Sequence, residues 1–464
     1  MNTGELYDEF TQREELTELS ASWSSDFVAG SVAASWLSGL GNDDLTALAQ
    51  QALQNNFALR SQARLIGQRY AQVDAASGGR LPNLDATLGA RRSAANSELF
   101  PEEYLYTNTF DASLRLSWNP DLWGELAADA RATAWSLEAA LAGFQRQRNS
   151  QIANLASNWG ALVICRQLLR LSDARVQRAR ELLEAANQSY TLGLEPLLSL
   201  RNQEIVIAGE RRSRLTQARQ CRDLERSISL ALGGLPGMRI RTPDELPPLP
   251  STPAAGVPSD LLTNRGDLIE AQANLKSAYE QIASARAARF PSLSLTASGS
   301  RTNDEFRPLF SDDINTFSLA ANLAIPLYAF GRLEAQEEIQ RSAAAQAEIA
   351  YLQAIYGAIK EVEDLLDAEV SLKESIRLAE QSLGFARDSA EIAEQQYIAG
   401  ISDFSSWVSA ELTRFNNLAT LLGLARERWQ TRMQLHLALG GSPLPEDSNQ
   451  ANPEATNHSN DNHS

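Results

Sequence analysis

The sequence predicts a mainly α-helical chain that carries four membrane-type β-strands and is built twice on one plan. Three observations predict it. Landmarks recur at a nearly fixed offset along the 464 residues. Four segments of about ten residues alternate apolar and polar side chains, the period of a strand with two unlike faces. Helical patterns of more than about sixty residues follow the second strand of each pair, a reach of roughly 100 Å at about 1.5 Å per residue.

The repeat is read from anchors in one order. Tyr190-Thr-Leu-Gly193 recurs as Tyr397-Ile-Ala-Gly400, Leu230-Ala-Leu-Gly-Gly234 as Leu437-Ala-Leu-Gly-Gly441, and Asn108-Thr-Phe110 as Asn315-Thr-Phe317, each 207 residues on. Leu81-Pro82 recurs as Phe290-Pro291, 209 residues on, and the slip of two fits into the loops 93–107 and 301–314. A long period seen twice indicates two similar halves, not a solenoid. The halves are 43–234 and 260–441. An N-terminal extension, 1–42, precedes them. The segment 235–259 separates them, with LPPLPSTPAAGVP at its centre. That many prolines cannot continue a helix and mark an ordered or semi-rigid linker. The tail 442–464 is polar and is expected to be disordered.

Each half reads in the same order. Residues 43–79 form a helix, with Leu45, Leu48, Ala52, Leu59, Ala63 and Ile66 at three- and four-residue spacing and Asn42 or Asp43 as cap. Strands follow at about 82–92 and 108–118. In the second, Phe110, Ala112, Leu114, Leu116 and Trp118 alternate with Asp111, Ser113, Arg115 and Ser117. A long helix spans about 123–188, with Leu155, Leu162, Leu169, Val176 and Leu183 seven apart in the manner of a coiled coil. Gly193 ends that helix, Pro196 suits the first turn of the next, and the next runs over about 196–232. The second half gives strands at about 291–301 and 315–325, a helix over 331–397, a turn at Gly400 and a helix over 402–439. Its heptad line, Ile355, Val362, Ile376 and Leu383, is interrupted by Glu369.

Composition excludes several functions. The net charge is -17 and the pI about 4.8, unlike a nucleic-acid groove. Two cysteines and three histidines do not make a zinc site. No nucleophile–base set or phosphate loop is present, so neither cofactor nor catalysis is expected. No apolar run is long enough for a membrane helix. The N-terminal stretch is acidic where an export signal is basic, and export is expected to be supplied upstream of Met1.

The alternating strands fit a small soluble sheet or the wall of a membrane barrel. The long helices favour the barrel, because a soluble sheet gives no reason for such reach. Strand pairs return the chain to the side it left, so all helices lie on one side of the membrane. Four strands cannot close a barrel, and open edges are forbidden in lipid, so the chain must oligomerise. Two chains would give a filled eight-stranded barrel; three give twelve strands and a lumen.

The sequence resembles the outer-membrane efflux channel family typified by TolC and OprM, over roughly 43–441. The resemblance rests on SWNPDLWGELAADARA from Ser117, IPLYAFGR from Ile325, EVEDLL at 361–366 and the two Tyr-x-x-Gly turns. It is closest to the lipoprotein branch serving resistance-nodulation-division pumps, although the first cysteine, Cys165, lies far from the N-terminus. The resemblance implies a homotrimer with a twelve-stranded outer-membrane β-barrel, a periplasmic α-helical coiled-coil barrel and an equatorial domain. The implied function is a passive exit duct for solutes from an inner-membrane transporter and a periplasmic adaptor. A type I protein-secretion channel and a soluble coiled-coil scaffold are the alternatives.

Site residues follow from the resemblance. Pro120 and Pro326 stop the strands at the membrane surface, and Gly124 and Gly331 turn the chain from barrel to tunnel. The family often has a second glycine where this chain has Phe330. The turns form the periplasmic tip, with Tyr190, Gly193, Ser199, Tyr397, Gly400, Asp403, Ser406 and Ser409 at the gate. Leu192, Gly193, Leu194, Ala399, Gly400 and Ile401 are the expected adaptor contacts. Tyr397 is expected to latch to Ser199, and Ser406 and Ser409 stand where the family carries aspartates. Cys165 and Cys221, each 28 residues from Gly193, are level in the first hairpin. They form either a disulfide or two buried thiols.

Overall fold

The computed structural model describes residues 7, 10, 35–97, 100–254, 258–306 and 316–444. Most of the N-terminal extension, the tail from residue 445 with its expected disorder, and the start of the fourth strand at Asn315 lie outside the described residues. The elements in chain order are α1 (Asp43–Asn55), α2 (Phe57–Gly78), β1 (Asn83–Ser97), β2 (Phe100–Trp118), α3 (Glu125–Thr191), α4 (Leu197–Ala231), α5 (Leu261–Asn264), α6 (Gly266–Ala287), β3 (Ser292–Asn303), β4 (Thr316–Ala324), α7 (Arg332–Ile398) and α8 (Phe404–Ala438). They form two compact units. One comprises Met1–Glu18, Leu65–Leu141 and Glu270–Gln353; the other comprises Leu19–Arg64, Ala142–Ile269 and Ala354–Ser464. The units cut across the sequence repeats, because each repeat supplies strands to the first unit and a helical hairpin to the second.

The first unit holds one antiparallel sheet in the order β1-β2-β3-β4. Its register separates two faces. Leu84 pairs with Leu116 and Ala86 with Leu114. Leu114 pairs with Gly299 and Trp118 with Leu295. Gly299 pairs with Phe317 and Ala297 with Leu319. Directly paired residues share a face, so this face is apolar across all four strands. The other face carries Asp85 opposite Arg115, Thr87 opposite Ser113, and Ser298 opposite Ser318, whose hydroxyls bond at 2.8 Å. Gly89 leaves room for the Asp111 carboxylate, which a Cβ there would strike.

The first two strands are longer than the alternation suggested. β1 and β2 continue through the expected 93–107 loop, with Ser93 opposite Thr107 and Ala94 opposite Tyr106, up to an irregularity at Asn96/Ser97. The β-forming run from Tyr104 to Thr107 extends the hairpin instead of ending it. Fifteen residues of β1 reach about 50 Å at roughly 3.3 Å each, beyond a hydrocarbon layer of about 30 Å. Helical segments flank the sheet and are tied by Arg131–Glu280 at 2.9 Å and Arg289–Glu337 at 2.7 Å.

The second unit contains the helical hairpins α3/α4 and α7/α8. The single helix expected over 43–79 is two helices, broken at Asn56, whose ψ is 122°. The Asn56 side-chain oxygen caps the new helix by accepting from Ala58 and Leu59 N–H at 2.9 and 3.2 Å, and its amide donates to the Ala231 carbonyl at 3.0 Å. The second half repeats the device with a different residue. Arg265 breaks α5 from α6 and donates to the Ala438 carbonyl at 2.8 Å. The recurrent Leu-Ala-Leu-Gly-Gly motif has the same cause. Gly233 and Gly440 adopt φ of 69° and 75°, and a Cβ on either would strike the carbonyl of Asn55 or Asn264.

The core of this unit joins Trp159, Leu162, Ile152, Ile228, Trp429 and Met433, and Trp429 lies against Gly160. Cys165 and Cys221 are in the same core and are bonded as a disulfide, with Cα atoms 5.6 Å apart. Glu369, the break in the heptad line, is buried and ion-paired with Arg428 at 3.0 Å and with fully buried Arg432. Arg432 in turn donates to the carbonyls of Pro250 and Ser251 at 2.7 and 3.1 Å. A buried charge is tolerated only when paired and hydrogen-bonded, and here the pairing fastens the proline-rich linker to α7 and α8. Thiol titration of the denatured, unreduced protein is expected to find no free thiol, and two after reduction. Replacing both cysteines by serine should lower stability by roughly 2–4 kcal/mol in a denaturant melt.

One helical turn after Arg432, His436 stacks on Trp36 at 4.9 Å. Burial, followed by the Arg432 guanidinium, pushes its imidazole down from 6.5 to about 4. The unfolded chain therefore binds this proton first. Stability is unaffected above about pH 6.5 and falls between about 6.5 and 4, by on the order of 3 kcal/mol in total. Melts of wild type and His436→Phe across that window should show the steeper fall in wild type, because the carboxylates held below their usual range contribute equally to both.

Candidate functional site

The two turns are built alike. Gly193 and Gly400 have φ of 72° and 71°. Gly193 N–H donates to Tyr190 O at 3.0 Å and Leu194 N–H to Ser189 O at 2.9 Å; Gly400 and Ile401 do the same to Tyr397 and Gln396. This is the Schellman closure, which requires a left-handed residue that glycine adopts without strain. Pro196 occupies the N-cap of α4 and not its first turn. Asp403 caps α8, its Oδ1 accepting from Ser406 N–H at 2.7 Å and the Ser405 hydroxyl at 3.0 Å. Hydrogen bonds from Ser406 and Ser405 hold the Asp403 carboxyl below the usual carboxylate range. Leu192, Leu194, Ile398 and Ile401 are strongly exposed, and Ala399 with both glycines is exposed beside them.

The two tyrosines are not equivalent. Tyr397 stacks on Trp407 at 5.2 Å and meets Phe404 edge-on at 5.5 Å, over a core of Leu182 and Ala186. Tyr190 is exposed. The Tyr397 hydroxyl bonds Ser189 Oγ at 2.8 Å, so Ser199 is not its partner within the chain. Ser199 instead donates to Glu195 at 2.8 Å. Ser189 lies on the last turns of α3, facing Tyr397, whereas Ser199 lies beyond the turn on α4. The aromatic pair Phe404 and Trp407 was the available sequence signal. The first half carries Leu197 and Leu200 at the matching positions.

Above this cluster Arg178 joins the hairpins. Its guanidinium donates to Glu411 at 2.9 Å, Glu394 at 3.0 Å and Glu181 at 3.2 Å, and lies 5.2 Å over the Trp407 ring. Burial alone would lower its pKa, but its hydrogen bonds to the Glu411 and Glu394 carboxylates outweigh it and raise it. Glu411 is buried and also accepts from Arg414. Every nearby acid has a local partner: Glu204 takes Arg201, and Glu195 takes Ser199. Ser406 and Ser409 line a shallow groove of about 530 Å³ with Ala386, Ser389, Ser405 and Thr413, and no carboxylate lines it.

In the other unit, the junction positions also match each other. Gly124 and Gly331 have φ of 81° and 77°, and their carbonyls accept the first helical bonds, from Ala128 and Ala335, both at 2.9 Å. They are helix N-caps as well as turning points. Pro120 and Pro326 lie just past the ends of β2 and β4. Trp123 donates to the Pro291 carbonyl at 2.7 Å and stacks on Phe290 at 5.0 Å, which fixes the first junction beside the start of β3. Phe330 adopts φ of 51°, a left-handed conformation that costs a non-glycine residue roughly 1–2 kcal/mol.

An amphipathic antiparallel sheet with an uncovered apolar face, leading into helices of 67 residues, defines an outer-membrane channel fold. The pattern of the outer membrane efflux protein family matches residues 48–234 and 257–441, and the chain belongs to that family. It is an outer-membrane efflux channel with a periplasmic helical region. Similar proteins include the pyoverdine export outer membrane protein OpmQ of Pseudomonas aeruginosa, 28% identical over 422 residues, covering 88% of this chain and 87% of OpmQ. The cation efflux system protein CusC of Escherichia coli is 28% identical over 418 residues, covering 88% of each chain. The solved outer-membrane channel OprN shares the fold with a TM-score of 0.83 at 20% identity, covering 92% of this chain and 98% of that one.

Arg178→Met would leave Glu411 with one cation in a buried site. Removing one member of such a pair should cost on the order of 3 kcal/mol, seen as a lower melting temperature of the detergent-solubilised protein.

Proposed function

We propose that three copies of the chain close one twelve-stranded barrel and one helical tunnel, forming the passive exit duct of a tripartite pump. The observation that carries this reading is the open sheet. Its apolar face bears exposed Leu84, Leu88, Leu114, Leu116, Phe317, Leu319 and Leu323. Each would cost roughly 1.5–3 kcal/mol in water, a sum comparable to the whole stability of a domain. β1 and β4 have no outer partner among the described residues, and an unpaired edge is not viable in lipid. Copies pairing β4 to β1 remove every edge. Exposed Trp118, Trp123, Tyr328 and Phe330 at the strand ends suit the headgroup level.

The partners in this reading are a periplasmic adaptor at the exposed Leu192, Leu194 and Ile401, and an inner-membrane transporter of the resistance-nodulation-division type. The duct binds no cofactor and catalyses nothing. The gate lies at the turns, held by the Tyr397 cluster and its neutral bond to Ser189. Asp403 serves as a cap, and Ser406 and Ser409 replace a carboxylate ring, so multivalent cations should bind weakly.

Single-channel recording in planar bilayers tests the reading. Wild type should show a small, stable conductance with little block by trivalent cations. Tyr397→Ala should raise the conductance, and Ser409→Asp should introduce block. An unchanged Tyr397→Ala conductance would remove Tyr397 from the gate, and absence of any conductance would contradict the duct.

A further inference from the structure

The apolar face of the sheet is interrupted by charge twice, and both times by arginine. In the register, Arg92 of β1 stands directly opposite Asn108, and Arg301 of β3 directly opposite Ala112. Both rows belong to the face that carries Leu84, Leu114 and Phe317. Over residues 84–94, 106–118, 293–303 and 317–323 no acid shares that face among the described residues. The opposite face mixes the two signs: Asp85 stands opposite Arg115, and Asp111 and Arg91 lie farther along it.

The two arginines are counterparts in the repeat. Arg301 follows Arg92 by 209 residues, the same offset that relates Ser292 to Asn83 at the strand starts. Each stands eight residues beyond the first leucine of its strand on that face, Leu84 or Leu293. The helices join the sheet at the strand ends Asn83, Trp118, Ser292 and Ala324, so both arginines lie toward the end away from the periplasm. Eight residues rise about 26 Å along a strand, or roughly 20 Å along the membrane normal at a tilt of about 40°. The apolar band of an outer-membrane barrel is about 25 Å tall. Both guanidinium groups therefore lie just inside the outer boundary of that band, and their own stems carry them to the headgroups.

The surroundings mark the same level. Tyr104 and Tyr106 are 61 and 60% exposed on this face, and Arg92 lies 4.9 Å over the Tyr106 ring. Such aromatics gird a barrel at its interface with headgroups. An ionisable side chain facing lipid is costly and calls for a partner. A phosphate suits a guanidinium because it accepts from two of its N–H groups at once. Asn108, opposite Arg92, brings an amide donor to the same place. The position selects the lipid, since phosphorylated glycolipid forms the outer leaflet of this membrane and phosphoglycerides form the inner one.

We propose that Arg92 and Arg301 hold the phosphate groups of an outer-leaflet glycolipid, whose acyl chains lie along the apolar face below them. The site rests on the reading that this face lies in lipid, and it adds a specific ligand to that face.

The test uses the full chain in detergent. The protein is incubated with bisphosphorylated lipid A or with the same lipid stripped of its phosphates, separated from excess lipid, and the retained lipid is counted by native mass spectrometry. Wild type should retain the phosphorylated form about tenfold or more over the stripped form. Arg92→Gln together with Arg301→Gln should lose that preference, and Arg92→Lys together with Arg301→Lys should keep most of it. Arg91→Gln, next in sequence but on the opposite face, should keep it whole. Millimolar inorganic phosphate should not displace the lipid. Equal retention of the two lipids by wild type, an undiminished preference in the glutamine variant, or displacement by inorganic phosphate overturns the site. Conductance in phosphatidylcholine bilayers is recorded in parallel for every variant. Wild-type conductance without phosphate-dependent retention overturns the glycolipid site and leaves the duct standing. No conductance and no retention of either lipid by wild type overturns both.

Discussion

An antiparallel sheet with one apolar face and two unpaired edges is stable only where the face meets hydrocarbon and the edges meet other strands. Most of the chain follows from that constraint. The strands must alternate strictly, because a slip of one residue would turn Asp85, Asp111 and Arg115 into lipid. They must come in pairs, which returns the chain to one side of the membrane and places both long helices there. The junctions at Gly124 and Gly331 are then forced. Each must leave a strand and begin a helix within a few residues, and each does so with a left-handed glycine whose carbonyl starts the helix.

The helical hairpins are fastened unequally along their length. Around Trp159 and Trp429 the structure is fastened three ways: by apolar packing, by the Cys165–Cys221 bond, and by Glu369 with Arg428 and Arg432. At the turns the fastening is lighter. One hydroxyl bond, three aromatic rings and the Arg178 ion pairs hold the hairpins together. The two halves differ here. The position matching Cys165 is Leu372 and that matching Cys221 is Arg428, so only the first hairpin is covalently closed.

Much of this was legible in the sequence, for identifiable reasons. Strand alternation and heptads are periodic, so the four strands and the long helices could be located from residue type alone. Glycines with left-handed φ recur at fixed offsets, which exposed the turns and the junctions. The break at Asn56 was not legible, because Asn56 ends one helix and caps the next through its side chain while the apolar spacing runs on unbroken. Its counterpart is Arg265, a different residue doing the same work, so comparison of the halves could not reveal it. The expected Tyr397–Ser199 latch failed because residue spacing sets height along a hairpin but not direction around a helix. Ser189 and Ser199 are nearly level, and only Ser189 faces the ring. Glu369 was visible as a fault in a heptad line; its meaning required the arginines of α8 and the linker carbonyls.

The central claim is that the apolar face of the sheet lies in lipid and the polar face lines water. Spin labels placed singly at residues 112 to 117 in proteoliposomes test it directly. Labels at 112, 114 and 116 should collide with oxygen, which partitions into lipid, and labels at 113, 115 and 117 with a water-soluble nickel chelate, giving a period of two. Nickel accessibility at all six positions, without alternation, would contradict the account.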